Sequence, residues 1–259
     1  MGDKFVLILP FVFGAVIGSF LNVCIYRIPI GLSIVSPPSK CPSCGRNIPF
    51  YYNIPIISYV VLMGRCGLCG APISPRYLLV ESFTGLAAVS LFLKFGPSFE
   101  LLAYFVFVSS LIVVTFIDLK YQIIPDVISL PGIAVGLAAS FFIPSVNFLN
   151  SFIGILAGGG VLFGIATAYY LLTGKEGMGG GDVKLLGMIG AFLGWKGVIV
   201  TLLLGSFLGA VIGSFIMLLS GKGSRHPIPF GPFLAIGAAA HLFLGEELIR
   251  WYIVTAVGA

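Results

Sequence analysis

Apolar residues run almost unbroken along the chain, and the polar positions gather in a few short stretches between them. About 20 consecutive apolar residues carry a helix across a hydrocarbon core. By that measure the sequence predicts helical spans at 5–26, 77–95, 101–117, 127–143, 152–172, 185–193, 198–219 and 230–244. The sixth is short and the eighth is interrupted by Gly231 and Pro232, so the expected count is seven or eight. A last apolar piece, 249–257, is too short to cross alone. The first run follows only Lys4 as a basic flank and has no clean A-x-A cleavage site, so it reads as a span and not as a removable signal. The expected fold is an all-α polytopic membrane protein: a bundle of seven or eight transmembrane helices with one small polar domain. No internal repeat or low-complexity tract stands out.

Composition narrows the picture. Of 259 residues, 58% are hydrophobic and 9% charged, and the mean hydropathy is +1.12. A soluble domain carries about 25% charged residues, so this chain cannot cover a water-facing surface. Soluble, disordered, coiled-coil, collagen-like and disulfide-scaffold classes are excluded together. The net charge of +5 does not point to nucleic acid, because the basic residues sit in short loops. Alternating the sides of the spans puts Arg27, Lys40, Arg46, Arg65, Arg76, Lys120, Lys175, Lys184, Lys222 and Arg225 on one face. Lys4, Lys94, Lys196 and Arg250 fall on the other. The excess of Lys and Arg marks the first face as cytoplasmic and puts the N-terminus outside. The division expected is 1–26, a first transmembrane helix; 27–76, a cytoplasmic metal-binding domain; and 77–259, a membrane core.

The proline-rich segment 27–76 holds two CxxC pairs, Cys41/Cys44 and Cys66/Cys69, with 21 residues between them. Each short turn offers two thiolates and the loop between lets the pairs meet, which is what a tetrahedral zinc site needs. Four cysteines leave no open position for water, so the expected zinc is structural, a staple for a domain too small to fold on its own core. Cys24, inside the first span, reads as a small packing residue.

Carboxylates are scarce: Asp3, Glu81, Glu100, Asp118, Asp126, Glu176, Asp182, Glu246 and Glu247. On the expected topology Asp118, Asp126, Glu176 and Asp182 lie at cytoplasmic helix ends, and Glu81 just inside the second span. An acid at membrane depth is costly unless it faces a polar cavity. Taken singly, Asp182 reads as an N-cap and Asp126 as a helix-start residue after Pro125. Taken together, Asp118 and Asp182 stand on one membrane face, at one depth, on different helices, and such a pair can share a proton and activate water. Gly179, Gly180 and Gly181 precede Asp182 without the GK[ST] of a phosphate loop, and their use is to let a substrate backbone come close. Lys120 and Lys184 read as partners of lipid phosphates or as tuners of the acids, and Glu81 as a substrate-binding residue or a helix-packing hydrogen bond.

The stretches GSFLNVCIYRIP, the paired CxxC motifs, PRYLLVE, FIDLKYQIIPD and GGGDVK occur in that order over essentially the whole chain. The sequence resembles the bacterial type IV prepilin peptidases, which are also N-methyltransferases. That resemblance implies a GxGD-type intramembrane aspartyl protease, with Asp118 as the first catalytic aspartate and Asp182 as the aspartate of the glycine motif. It implies cleavage of a short basic leader from prepilins or pseudopilins after a Gly, at the cytoplasmic face of the bacterial inner membrane. It also implies methylation of the new N-terminus with S-adenosyl-L-methionine; the alternative is a peptidase without methyltransferase activity. Cys41, Cys44, Cys66 and Cys69 match the zinc domain of the bifunctional members.

Two other classes are tested by the same residues. A proton-coupled transporter would show paired repeats with acids near the midplane, and none is visible. A zinc metallopeptidase would need an open ligand set such as HExxH, whereas His226 and His241 are isolated.

Overall fold

The structure, a computed structural model, describes residues 2–174, 179–220, 229–252 and 254–255. Lys175, Glu176, Gly177, Lys222, Arg225 and His226 lie outside the described residues. The helices are α1 (Gly2–Arg27), α2 (Ile57–Val61), α3 (Arg76–Phe95), α4 (Phe99–Tyr121), α5 (Asp126–Ala139), α6 (Phe148–Thr173), α7 (Gly180–Ser220) and α8 (Gly231–Tyr252), with 3-10 turns at Ile28–Ile30 and Phe50–Tyr52. Among the described residues there is no strand, only isolated bridges.

Each expected span falls on a helix, with three adjustments. Span 127–143 is helical only as far as Ala139, where α5 ends. Spans 185–193 and 198–219 are the two halves of α7, which breaks at Gly194, where φ is 68° and ψ −177°. Only glycine holds that backbone without strain. Gly231 and Pro232 do not interrupt the last span; they begin it. Proline suits the first turn of a helix, where its missing N–H would have no partner. Five helices are long and apolar enough to cross a membrane: Val6–Ile30, Arg76–Phe95, Phe99–Tyr121, Phe148–Thr173 and Gly180–Phe215. Asp126–Ala139 and Gly231–Gly245 are apolar but shorter. The chain is a multi-pass helical membrane protein.

The chain divides into two compact units, Met1–Val113 and Val114–Ala259. In the first, α1 packs along α3. The contact is close because α1 presents Gly14 and Gly18, one turn apart; a Cβ at Gly18 would stand 2.7 Å from the Glu81 Cα. Small residues at that spacing let helices meet backbone to backbone where lipid offers no hydrophobic drive. Asn22 of α1, fully buried, donates to the Tyr77 carbonyl at 3.2 Å. In the second unit α7 is the hub, touching α5, α6 and α8. Leu185, Leu186, Met188, Ile189 and Ala191 are fully buried. The short sixth apolar run is therefore a core segment enclosed by its own neighbours. Ser151 of α6 donates to the Ala191 carbonyl at 2.7 Å, a buried polar tie across the pair.

Candidate functional site

The four sulfurs of Cys41, Cys44, Cys66 and Cys69 come together in the first unit, all within 4.8 Å of one another. Two equivalent turns build the cluster. In one, Gly45 N–H donates to the Cys41 carbonyl and Cys41 N–H to the Arg46 carbonyl, at 2.8 and 3.0 Å; in the other, Gly70 serves Cys66 and Cys66 serves Ala71, both at 2.8 Å. Gly45 and Gly70 share a left-handed backbone, with φ of 68° and 73°. The repeated signal CxxCG in the sequence encodes this duplication, which a search for longer repeats passes over. Arg46 ties the turns together by donating to the Leu68 carbonyl.

Backbone N–H groups point at the thiols and lower them from the ordinary range: chiefly that of Cys44 at Cys41, that of Arg46 at Cys44 and that of Leu68 at Cys66. At Cys69 the Ala71 N–H pulls the same way, but desolvation and the neighbouring thiols outweigh it and push the group up to about 11. Closely spaced thiols with donors aimed at sulfur fit a tetrahedral metal ion.

Glu81, 6% exposed on α3, accepts the Ile56 N–H at 2.7 Å and is also hydrogen-bonded by Ser19 of α1. Ile56 has a φ of 62° and ψ of −52°, a strained conformation for a β-branched residue that persists only when its surroundings hold it. The Glu81 carboxylate is one restraint, and the Ile57 N–H, which donates to the Pro55 carbonyl at 2.6 Å, closes the turn over Ile56. Beside this fastening, a cleft of about 500 Å3 opens between α1 and the polar segment, lined by Ser19, Arg27, Phe50, Asn53 and Ile54 among others. Arg27 shapes it by donating to the carbonyls of Ser33 and Pro37 at 2.8 and 2.7 Å.

The second unit holds the acids. Asp118 lies in the last turn of α4 and is 5% exposed. Its Oδ2 accepts the Gly231 N–H at 2.9 Å. Asp182 lies in the first turn of α7, two residues inside the helix start, and its own N–H reaches the Gly179 carbonyl at 3.1 Å. Although 64 positions apart in sequence, the two carboxylates are near enough to act on each other as like charges. A Cβ on Gly180 would meet nothing within 4 Å, whereas one on Gly181 would stand 2.8 Å from the Ile124 Cβ. Gly180 thus faces open space, a Cβ on Gly179 would touch Asp182 Oδ2 at 3.5 Å, and Gly181 lets α7 begin against the loop that follows α4.

Sequence reasoning missed the company kept by Asp126. Its carboxylate takes both oxygens to Lys184 Nζ, at 2.8 and 2.7 Å, joining the start of α5 to the first turn of α7. Lys184, two residues after Asp182, is therefore partnered within the protein. Lys120 donates to the hydroxyl of its neighbour Tyr121 at 3.0 Å. His241 lies on α8, packed against Gly197 and Gly245.

A multi-pass helical protein with a tetracysteine cluster and two acids brought together at helix ends is the class that fold and sites define. Residues 12–95 match the family described as bacterial peptidase A24 N-terminal domain, and residues 105–214 the type IV leader peptidase family. The chain belongs to the type IV leader peptidase family. It is 40% identical to the prepilin leader peptidase/N-methyltransferase of Aeromonas hydrophila, over 95% of this chain and 93% of that protein. It is 36% identical to the protein of that name in Pseudomonas aeruginosa, over 93% and 91%. With that of Myxococcus xanthus it shares 40% over 82% of this chain and 63% of the other. No solved structure matches.

Proposed function

We propose that this protein cleaves the leader from type IV prepilins or pseudopilins after a Gly and then methylates the new N-terminus. It acts in the bacterial inner membrane with its acids at the cytoplasmic face. The family and the names of its relatives support the pair of activities. The observation that carries the peptidase reading is the approach of Asp118 and Asp182 from separate helices.

Between two carboxyls a water can be held and polarised. One carboxylate takes a proton from the water as its oxygen attacks the scissile carbonyl carbon; the other, protonated, gives its proton to the carbonyl oxygen. The resulting diol then collapses. The C–N bond breaks, the first acid returns its proton to the leaving amine, and the second recovers one from a diol hydroxyl. The two acids thus end as they began, and their titration belongs to the pair. Open space at Gly180, next to a Gly179 that adds no side chain against the Asp182 carboxylate, gives an extended substrate backbone room. A Gly at the cut site favours that extension, since glycine leaves helical structure readily.

The cysteine cluster is the seat of a structural zinc. Four thiolates about 2.3 Å from one zinc stand about 3.8 Å apart, and Cys41 Sγ and Cys69 Sγ are 3.8 Å apart. S-adenosyl-L-methionine supplies an electrophilic methyl group. Toward methylation the chain's own contribution is the polar segment that the cysteines staple, and Glu81 assists substrate binding through the wall that Ile56 anchors. Mass spectrometry of a prepilin incubated with the protein and S-adenosyl-L-methionine reads both steps: release of the leader and addition of one methyl. Asp118→Asn and Asp182→Asn should each abolish release, and full cleavage by either ends the aspartyl assignment.

A further inference from the structure

The two acids are held very differently. Asp118 Oδ2 is engaged by Gly231, the first residue of α8, through a buried hydrogen bond between positions 113 apart. A helix's first N–H groups have no partner inside the helix, and together they carry partial positive charge that favours an anion. The start of α8 is itself firm, since the Phe230 carbonyl accepts from both Phe233 and Leu234, at 3.0 and 3.2 Å. No side chain fits at this point: a Cβ on Gly231 would stand 2.7 Å from Asp118 Oδ2. By contrast, among the described residues the Asp182 carboxylate accepts no hydrogen bond, and the residue beside its Oδ2 is Gly179, on which a Cβ would lie 3.5 Å away.

From this asymmetry we infer that the Gly231 backbone N–H is the positioning group of the site, fixing Asp118 as the carboxylate that takes the proton from water and leaving Asp182 as the acid toward the carbonyl. The inference rests on the catalytic reading of the pair. The reason is stereochemical. A backbone donor that cannot accept a proton favours the ionised form of Asp118 and holds its Oδ2 in an orientation set by the start of α8. Asp182, on the glycine-flanked start of α7, keeps the freedom to follow the carbonyl oxygen as it changes geometry.

Two variants separate the donor from the space. An amide-to-ester replacement at Gly231, with glycolic acid in place of glycine, deletes the N–H and adds no atom. Gly231→Ala keeps the N–H but drives Cβ into the Asp118 carboxylate, the tip of a side chain, so the cost falls on orientation more than on folding. Prepilin cleavage is measured in full-length protein, with methylation of an already cleaved pilin peptide as the control for the first unit. A misplacement near 1 Å costs on the order of 10²-fold in rate, so both variants should lose about that in kcat with KM within about twofold and methylation unchanged. Should Gly231→Ala fail to fold, the ester variant decides. An ester variant whose kcat stays within about threefold of the parent overturns the inference. Asp118→Asn is run alongside: if it still cleaves, the catalytic reading itself fails; if it is inactive while the ester variant is not, only the role of Gly231 is lost.

Discussion

The cysteine cluster and the acid pair are built on opposite plans. In the first unit each half of the cluster is a turn of a few residues, closed by its own backbone hydrogen bonds and a left-handed glycine. In the second unit Asp118 and Asp182 meet because α4 ends and α7 begins at one place, with the start of α8 bonded to the first acid. Each half of the cluster is local and set by its own turn; the pair's geometry is long-range and depends on helix packing. Damage to one site should therefore leave the other standing, and the variants below divide accordingly.

The largest effect is expected at the acids. Positioned acid–base groups contribute about 10²- to 10⁴-fold each, and here no other group replaces them. Asp118→Asn and Asp182→Asn should drop cleavage to background in a mass-spectrometric assay, with metal content and methylation of a cleaved peptide retained. If either variant loses its metal as well, the two sites are not independent.

Next comes the cluster. Serine at Cys41, Cys44, Cys66 or Cys69 removes a thiolate from a site whose binding energy is folding energy. Metal analysis should show loss of the ion, and methylation should fall more than cleavage does. Equal loss of both activities would erase the contrast between the units.

Glu81→Ala removes the acceptor of the Ile56 N–H. A buried hydrogen bond to a charged group is worth about 1.5–3 kcal/mol, so the protein should melt lower by several degrees, and methylation should again suffer more than cleavage. Glu81→Gln keeps an acceptor for the Ile56 N–H and should recover part of the loss.

The smallest effect belongs to Asp126 and Lys184. The pair is bidentate but partly exposed, with side-chain exposures of 39% at Lys184 and 55% at Asp126, and such pairs contribute about 0.2–1 kcal/mol. Asp126→Lys or Lys184→Asp should slow cleavage a few-fold by loosening the first turn of α7, and the exchanged double variant should regain most of the rate. A double variant no better than the singles would mean that the contact does not steady Asp182.

What was legible in the sequence follows the same division. The spans were readable because hydropathy is summed along the chain, and the cluster because its ligands are spaced along it. Asp118 and Asp182 were readable as rare acids at one depth, but their meeting is a packing fact. The break at Gly194 was hidden because apolar residues continue on both sides of it. Gly231 and Pro232 read as an interruption because hydropathy does not register that a Gly-Pro step opens a helix. The fastening of Ile56 by Glu81, the Lys184–Asp126 pair and the Gly231–Asp118 bond join positions far apart, and no local pattern announces them.

The central claim is that the two acids act as one unit. Groups that work together lose their function when either is removed, so removing both costs little more than removing one. The direct measurement is the cleavage rate of one prepilin by the parent, Asp118→Asn, Asp182→Asn and the double variant in the same membranes. Two inactive singles and a double variant no slower than either would bear out the pair; cleavage near the parent rate by either single, or losses that multiply in the double, would contradict it.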